Sequence, residues 1–349
     1  MVDTLLVVII HIFDSRGRRL GIWETGKTDT AARPMPFNGP QSISISIPRL
    51  YANAEMCRHG NLVVIESGSG VELWGGIVRG RRTWELSGPS ITIQSWETFL
   101  NDLYTPQLVS LQGMTGGGMI RRLLQDALAK TNVPLVMGQV SDAGPVQTRE
   151  FRQESILSAV QSLGENGGAF DWWCETVWSN NQDKPQGMFM LTPRAGRRTS
   201  VLLAEGMNVV DVQKSDDDST AVTSATVIAN SNSDWGERPV ATVTDSALTN
   251  ALGWPRAVTV VRSDITTGDG ARAAAKALLG GVEESLVVSV TNERGEWASI
   301  RNGDTLLVDL PSFDFAQMDT GYREPALRRV VGRTIDEARG VMSLQLVRP

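Results

Sequence analysis

Residues 60–96 read GNLVVIESGSGVELWGGIVRGRRTWELSGPSITIQSW, and this stretch predicts a compact unit of β-strands. Residues 62–65 form a β-branched run, which is typical of a strand, and the flexible turn at residues 67–70 ends it. A return strand is expected over residues 73–78. The glycine-rich turn and the two apolar runs that flank it therefore predict a hairpin.

The unit closes with a third strand, which has one buried and one exposed face. Residues 79–82 are expected to form a charged corner, and residues 91–96 then alternate apolar with polar side chains. Residues 42–47 alternate serine and isoleucine without exception, which predicts a strand. Residues 7–13 and the polar turn at residues 14–21 predict a first hairpin.

The C-terminal part of the chain repeats this order of features. Residues 303–308 match the strand that begins after Gly60, residues 329–333 match residues 76–79, and residues 341–346 match the strand of residues 91–96. A recurring turn, strand, basic strand and closing strand predicts two similar β-barrel-like domains in one polypeptide.

The middle of the chain changes to helical periodicity. Residues 120–128 and 154–163 carry apolar side chains at helical spacing, and residues 169–178 and 187–193 predict a hairpin of strands. This part therefore predicts an α+β module inserted between the two β-rich ends.

The predicted fold class is α+β and β-rich, with three parts. They are a first β-barrel-like domain at residues 1–105, the inserted α+β module at 106–200, and a second β-barrel-like domain at 201–349. The last part contains one short Ala-rich helix over residues 270–279, which Gly280 and Gly281 end.

Composition limits the classes of function. The 349 residues include 41% hydrophobic and 21% charged side chains, which is the balance of a folded globular protein. The formal net charge of −6 argues against tight binding of nucleic acid, since phosphates are bound by an excess of Lys and Arg. The apolar run at residues 5–10 is far too short to span a bilayer, so no stable membrane insertion is expected.

Few residues could carry catalysis. The chain has only two cysteines, Cys57 and Cys174, which lie far apart in sequence and give neither a disulfide framework nor the clustered Cys and His pairs of a zinc pattern, and this favours assembly in a reducing cytoplasm. A Cys57–His59 nucleophile is possible in principle, but no orienting third group is recognisable, so a surface loop is expected. His11 lies in an apolar strand and is interpreted as structural. No catalytic residue is predicted.

Two polar segments resemble ligand sites superficially. The cluster Gly113-Met114-Thr115-Gly116-Gly117-Gly118 precedes a helix, but it lacks the lysine and the hydroxyl of a P-loop at the right offset, so a flexible loop is expected. Asp216-Asp217-Asp218 lacks the alternating ligands and later glutamate of a calcium loop, so a solvated turn is expected. Neither a cofactor nor a metal is predicted.

Ten tryptophans are many for a chain of this length, and three lie close in sequence. Trp172, Trp173 and Trp178 could form a platform for stacking sugars. Adjacent residues on a strand point to opposite faces, however, so at most one of Trp172 and Trp173 lines a given groove. Core packing and interface contacts are the favoured role, and glycan binding is the alternative.

The order of these features resembles the tail-hub proteins of tailed bacteriophages, a group that includes the baseplate hubs of contractile tails and the tail-tip hubs of siphophages. The resemblance covers most of the chain. It is carried by the turn segments at residues 14–21 and 37–40, the strands at 73–78 and 91–93, the helix at 155–163 before Trp172, the Asp218-Ser219 corner, the Ala-rich helix, and the Gly303-Asp304 strand.

The resemblance implies a structural, non-enzymatic protein of the virion tail tip that is assembled in the host cytoplasm. It implies a homotrimer whose six barrel-like domains join a six-fold tail tube or distal tail protein to a three-fold central fibre. The implied neighbours include the tape measure protein and receptor-binding proteins, and DNA passes transiently without specific binding. Two alternatives are a glycan- or receptor-binding tail protein and a cell-wall hydrolase; the second is disfavoured because no peptidase extension follows the second domain.

Overall fold

The computed structural model describes residues 8–25, 32–67, 73–165, 170–179, 184–230, 237–263, 265–281, 283–292, 295–311 and 325–349. The predicted α+β, β-rich class is confirmed: strands dominate, and two curled sheets form half-barrels rather than closed barrels.

The first half-barrel is a six-stranded antiparallel sheet from the N-terminal part of the chain. The strands of this part are β1 (Val8–Phe13), β2 (Arg19–Thr25), β3 (Arg33–Met35), β4 (Ser42–Ser46), β5 (Leu62–Ser67), β6 (Trp74–Glu85) and β7 (Gly88–Ser95). The sheet order is β2-β1-β5-β6-β7-β4, and β3 leaves it to join the other half-barrel. In β4 the isoleucines are buried and the serines exposed, so its alternation sets which face meets the core.

The middle module packs helices against two small sheets. Its elements are the 3₁₀ turn Trp96–Thr98, α1 (Phe99–Asp102), β8 (Val109–Thr115), α2 (Gly116–Leu128), β9 (Leu135–Val140), β10 (Val146–Phe151), α3 (Ile156–Glu165), β11 (Asp171–Trp178) and β12 (Pro185–Thr192). The sheets are β10-β8 and β11-β12-β9. Their apolar faces and the buried stripes of α2 and α3 form a second hydrophobic cluster, which includes Leu123, Val160 and Phe189.

The second half-barrel contains strands from the C-terminal part of the chain and an inserted unit. Its strands are β13 (Arg198–Ala204), β14 (Val209–Asp217), then β15 (Ser224–Ala229), β16 (Val240–Thr244) and β17 (Ala257–Arg262) of the insert, and β18 (Glu283–Val290), β19 (Thr305–Asp309), β20 (Ala326–Asp336) and β21 (Val341–Val347). The main sheet has the order β13-β19-β20-β21-β18-β14, and β3 pairs with β20 as its seventh strand. The helices α4 (Ser246–Leu252) and α5 (Gly268–Leu278) belong to the inserted unit, and the short helix α6 (Glu296–Ser299) follows them and precedes β19.

The inserted unit has a small core of its own. Its sheet β16-β15-β17 packs with α5 (Gly268–Leu278), and α4 (Ser246–Leu252) connects β16 to β17. Small residues such as Ala225, Ala271 and Ala275 form a cluster separate from the main core. The chain enters and leaves through paired backbone, because Asp217 pairs with Glu283 and Val222 exchanges hydrogen bonds with Gly280 at 2.8 and 3.1 Å.

The two half-barrels share one hydrophobic core. Ile10, Ile65 and Ile91 from the first sheet and Val288 and Leu344 from the second belong to the same buried cluster. The sheets are therefore two halves of one folded body rather than two independent barrels. The boundaries predicted at residues 105 and 200 stay a prediction.

Four strands follow the same order in both half-barrels. In the first sheet β4 precedes β5, β6 and β7 in the chain and lies beside β7, and in the second β18 precedes β19, β20 and β21 and lies beside β21. All these neighbours are antiparallel. The halves differ next to this motif, since β1 pairs antiparallel with β5 whereas β13 pairs parallel with β19.

The predicted charged corner at residues 79–82 is wrong, because these residues lie inside β6. The register with β7 shifts between Val78 and Arg82, so residues 79–81 bulge out of the ladder and the strand continues to Glu85. Residues on an edge strand can keep their charged side chains in water, so a run of charged residues does not require a turn. The turn predicted at residues 67–70 falls from residue 68 onward outside the described residues.

Candidate functional site

The turn that leads into β5 is held against β6 by a pair of backbone hydrogen bonds. Gly60 has a φ of +88°, a conformation that favours glycine. Its N–H donates to the Val78 carbonyl at 3.0 Å, and the Val78 N–H donates to the Asn61 carbonyl at 2.8 Å. This exchange fixes where β6 begins its bulge.

The turn that leads into β19 repeats this arrangement in the second half-barrel. Gly303 also has a φ of +88°. Its N–H donates to the Val330 carbonyl at 2.7 Å, and the Val330 N–H donates to the Asp304 carbonyl at 2.8 Å. Val330 is therefore the counterpart of Val78, and the two halves contain the same local device.

An arginine beyond each bulge completes the repeated device. The Arg82 guanidinium donates from Nη1 to the Cys57 carbonyl at 2.8 Å, and that of Arg333 donates to the Ile300 carbonyl at 2.6 Å. Each accepting carbonyl lies three residues before the glycine of its turn. Arg82 thus corresponds to Arg333.

A cavity of about 730 Å³ lies where both half-barrels meet the middle module. The polar or aromatic side chains among its lining residues are Phe37, Trp74, Trp96, Trp173, Glu175, Thr176, Arg197, Arg301, Asn302, Asp304 and Arg333. Asp304 accepts hydrogen bonds from the N–H groups of Arg197 and Arg301, both at 2.8 Å. Its carboxylate therefore holds the cavity wall together rather than projecting unpaired toward a ligand.

A buried acid lies behind this cavity. Glu97 is fully buried, and its Oε1 accepts a hydrogen bond from the Cys174 N–H at 2.6 Å. Burial raises the pKa of Glu97 to about 7, because a carboxylate loses its hydration there. Burial, together with the neighbouring Glu97, also raises the pKa of the Cys174 thiol well above its ordinary value. A thiol with a raised pKa stays protonated and is a poor nucleophile.

A second cavity, of about 580 Å³, lies at the surface of the first half-barrel. It is lined by Asp14, Ser15, Arg16, Arg18, Leu20, Glu55, Arg58, His59, Gly60 and Asn61. Its charges are partly paired, since the Arg18 guanidinium donates to the Asp14 carboxylate at 3.2 Å, and the backbone N–H groups of Arg16 and Arg18 donate to the same carboxylate at 2.9 Å each. The backbone hydrogen bonds hold the pKa of Asp14 below its ordinary value, against the opposing effect of burial.

Cys57 and His59 lie in the same turn, but their side chains are in different environments. Cys57 is buried in the main core, where burial raises the pKa of its thiol, whereas His59 is exposed and lines the second cavity. The expected surface loop is therefore correct for His59 but wrong for Cys57. Hydrophobic packing takes the cysteine inward.

His11 is buried on β1 and stacks on Phe13 at 6.3 Å between ring centroids. Its Nε2 lies 3.3 Å from Glu66 Oε2, so it has a carboxylate neighbour that the sequence did not indicate. His11 contributes to neither of the two cavities described above.

The glycine cluster is not a flexible loop. Gly116, Gly117 and Gly118 form the first turn of α2 and are buried. A Cβ on Gly117 would lie 2.1 Å from the Ser141 carbonyl oxygen, so close packing requires glycine there. The Gly117 N–H donates to the Ala143 carbonyl and the Gly118 N–H to the Thr115 hydroxyl, so these donors are not available to an anion.

The aspartate run is only partly a turn. Asp216 and Asp217 continue β14 and pair with β18, and the turn begins after them. The expected solvated turn is therefore wrong for these two residues, because sheet pairing extends further than their composition suggests. Within the described ranges, no cluster of three or more Cys, His, Asp or Glu is suited to a metal ion.

The three tryptophans do not form one platform. Trp172 is buried against Phe189 with 6.0 Å between centroids, and Trp178 packs edge-on against Phe13 at 5.6 Å. Trp173 alone of the three lines the larger cavity. The alternation predicted for adjacent strand residues explains this separation.

Sequence reasoning did not identify Glu97, Asp304 or Arg333 as residues of interest. A single carboxylate after an alternating strand gives no signal of burial. The internal repeat offered a partial signal, because matching residues 329–333 with residues 76–79 aligns Arg333 with Arg79, three residues before its structural counterpart Arg82.

Solved structures resemble the chain along nearly its whole length. The 43 kDa tail protein of prophage MuSo2 from Shewanella oneidensis aligns with a TM-score of 0.60 and 13% identity, covering 98% of both chains. The prophage tail protein gp18 from Listeria monocytogenes gives 0.58 and 13%, covering 98% of this chain and 94% of that one. The tail protein from Neisseria meningitidis gives 0.59 and 14%, covering 97% and 96%.

The chain has the fold of prophage tail proteins. The resemblance to phage tail-hub proteins is thereby confirmed at the level of the fold, although identities this low show no more than that. No protein-family model and no curated protein sequence matches the chain. Among the described residues of this tail-protein fold, no helix is both long and apolar enough to cross a membrane.

Proposed function

We propose that this chain is a structural hub at the tip of a phage tail. Three copies close a ring in which six half-barrels surround the channel through which DNA leaves. The ring joins a six-fold tail tube or distal tail protein to a three-fold central fibre. The fold shared with prophage tail proteins supports a place in the tail.

The repeated device of the two half-barrels is the observation that carries this proposal. One chain presents two units that share a strand order, a glycine turn and a bulge followed by an arginine. Two such units per chain give six-fold pseudo-symmetry when three chains close head to tail. A protein with this symmetry fits both a six-fold and a three-fold neighbour.

The channel wall is expected to be acidic or neutral. Arginines and lysines facing the lumen would bind DNA phosphates and slow its passage, whereas the net charge of −6 leaves carboxylates available for that surface. The role is structural and not enzymatic. The partners are the distal tail protein or tail tube, the tape measure protein, and the central fibre or receptor-binding proteins.

The test is the copy number and position of the chain. Mass photometry of the purified protein is expected to show a trimer, and cryo-EM of isolated tails is expected to show three chains at the tip. A monomer within the virion, a six-copy ring or a strongly basic channel wall would overturn the proposal. Loss of turbidity when the protein is added to host cell walls would favour the hydrolase alternative.

A further inference from the structure

The equivalence of Arg82 and Arg333 aligns the two long hairpins residue by residue. Arg82 pairs in register with Ile91, and Arg333 pairs with Leu344. Counting two and four residues onward, Trp84 corresponds to Ile335 and Leu86 corresponds to Glu337. Trp84 and Ile335 lie on the strands, whereas Leu86 and Glu337 are the first residues of the turns that follow, and these two positions are called the row of each half-barrel.

In the second half-barrel, β3 covers this row. It pairs antiparallel with β20 at residues 333–335, and its Met35 packs into the shared core. Ile335 is 0% exposed and Glu337 is 1% exposed. Arg33 at the other end of β3 forms a buried ion pair with Glu337. The cover is thus a short extended strand with inward side chains at alternate positions.

In the first half-barrel, the same row is bare. Trp84 is 63% exposed and Leu86 is 91% exposed, where their counterparts are buried. Throughout the described part of the chain, no strand pairs with the outer edge of β6 at residues 82–85. An uncovered edge with large apolar side chains is a template for strand addition.

The loop beside the hairpin enlarges this apolar surface. The Arg49 N–H donates to the Ser87 carbonyl at 3.1 Å, which holds residues 48–51 against the hairpin tip. Leu50 is 94% exposed and Tyr51 is 52% exposed. Apolar side chains concentrated at one end of a sheet are characteristic of an interaction surface.

We propose that residues 82–85 at the edge of β6, together with Leu86 of the adjoining turn, receive an extended strand from a second copy of this chain. Within one chain, β3 from the N-terminal part covers the row of the second half-barrel. This contact joins two unlike surfaces, as the head-to-tail contacts of a closed ring do. Repeating the contact between chains places the row on β6 against the next copy, and three repeats close the ring. This inference rests on the proposed ring.

The side chains of the row also determine which side chains the incoming strand must have. Leu86 occupies the position where Glu337 pairs with Arg33, so the incoming strand has an apolar side chain where β3 has arginine. Buried apolar contact there replaces the ion pair. The incoming segment is therefore an extended stretch with two apolar residues at alternate positions.

The experiment compares two double variants of the full chain by mass photometry. W84E/L86K adds opposite charges to the row, and the control W254E/V240K adds the same charges on the insert, where Trp254 and Val240 are 60% and 59% exposed. We expect W84E/L86K to raise the trimer dissociation constant at least about tenfold, because buried aromatic side chains dominate interface affinity. The control keeps the wild-type constant.

Hydrogen exchange of the wild-type oligomer gives a readout that misfolding cannot imitate. Peptides spanning residues 82–86 are expected to be protected in the oligomer and to exchange faster after dilution to monomer, while the thermal midpoint of the dissociated variant stays that of the control. A wild-type trimer together with a trimeric W84E/L86K would overturn the edge inference and leave the ring intact. A wild type that never forms a trimer would overturn the ring and the inference together.

Discussion

Gly60 and Gly303 have the same left-handed backbone, with a φ of +88°, but different space around their Cα atoms. A Cβ built on Gly60 meets nothing within 4 Å. One built on Gly303 would lie 2.6 Å from the carbonyl carbon and oxygen of Ala195. The repeated turn is therefore open in the first half-barrel and packed against the segment before β13 in the second.

This contrast predicts unequal costs for the same substitution. Gly60→Ala is expected to lower the free energy of unfolding by about 1–2 kcal/mol, which is the cost of the left-handed backbone for alanine. Gly303→Ala adds a collision with rigid backbone and is expected to cost roughly 2–5 kcal/mol. Urea denaturation of both variants measures the difference, and equal costs would contradict the packing described here.

The repeated arginines give a second comparison. Arg333 is 3% exposed and donates to the Ile300 carbonyl, whereas Arg82 is exposed and its corresponding bond to the Cys57 carbonyl is only partly buried. Arg333→Ala is expected to cost roughly 2–4 kcal/mol of folding stability, because it leaves a buried acceptor and a cavity. Arg82→Ala is expected to cost at most about 1 kcal/mol. Thermal and urea unfolding of the two variants tests this order, which a larger loss for Arg82→Ala would contradict.

The ion pair of Arg33 and Glu337 fastens β3 to the second half-barrel. Both side chains are almost completely buried. Arg33→Met leaves the Glu337 carboxylate without its partner and is expected to cost about 3–5 kcal/mol, whereas the double variant R33M/E337M is expected to recover much of that loss. A double-mutant cycle measures the coupling.

The exposed pair of Arg122 and Asp126 on α2 is the matched control for this cycle. Arg122→Met is expected to change stability by less than about 0.5 kcal/mol, since water screens an i,i+4 pair at the surface. Additive effects of R33M and E337M would show that the buried pair does not act as a unit.

Glu97 predicts a dependence of stability on pH. Its pKa is about 7 in the folded chain and about 4.3 in an unfolded one. Between these values the folded state holds a proton that the unfolded state releases, so stability falls as pH rises from about 4.3 to 7. Glu97→Gln keeps an acceptor for the Cys174 N–H and removes this loss.

The measurement is the stability of E97Q relative to wild type at two pH values. We expect a small difference near pH 5 and an advantage for E97Q of up to about 3 kcal/mol at pH 8. Taking the difference between the two proteins cancels the titration of all other groups. An advantage that is constant with pH would show that Glu97 does not change its charge in this range.

Local patterns predicted the strands that carry the fold. The serine and isoleucine alternation of β4 and the β-branched run of β5 depend only on which face meets the core, so one sequence sufficed to locate them. The repeat of the Gly60 turn at Gly303 was also visible, because both turns need glycine at a positive φ.

Features that depend on tertiary contact were not predictable in the same way. The charge at residues 79–82 predicts a corner, because charge usually marks a turn, but a bulged strand edge exposes charge equally well. Gly117 in the first turn of α2 contradicts helix propensity, and the nearby Ser141 carbonyl, which leaves no space for a Cβ, explains it. Burial of Glu97 results from β11, which is distant in sequence.

The paired entry and exit of the inserted unit has a consequence for how such chains diversify. Asp217 and Glu283 are neighbours across a ladder, so a short turn between β14 and β18 could replace everything between them without moving either strand. The unit contributes a cluster of its own and not to the shared core. Natural variation can therefore enlarge, exchange or delete this unit, and the shared core of the two half-barrels stays the same.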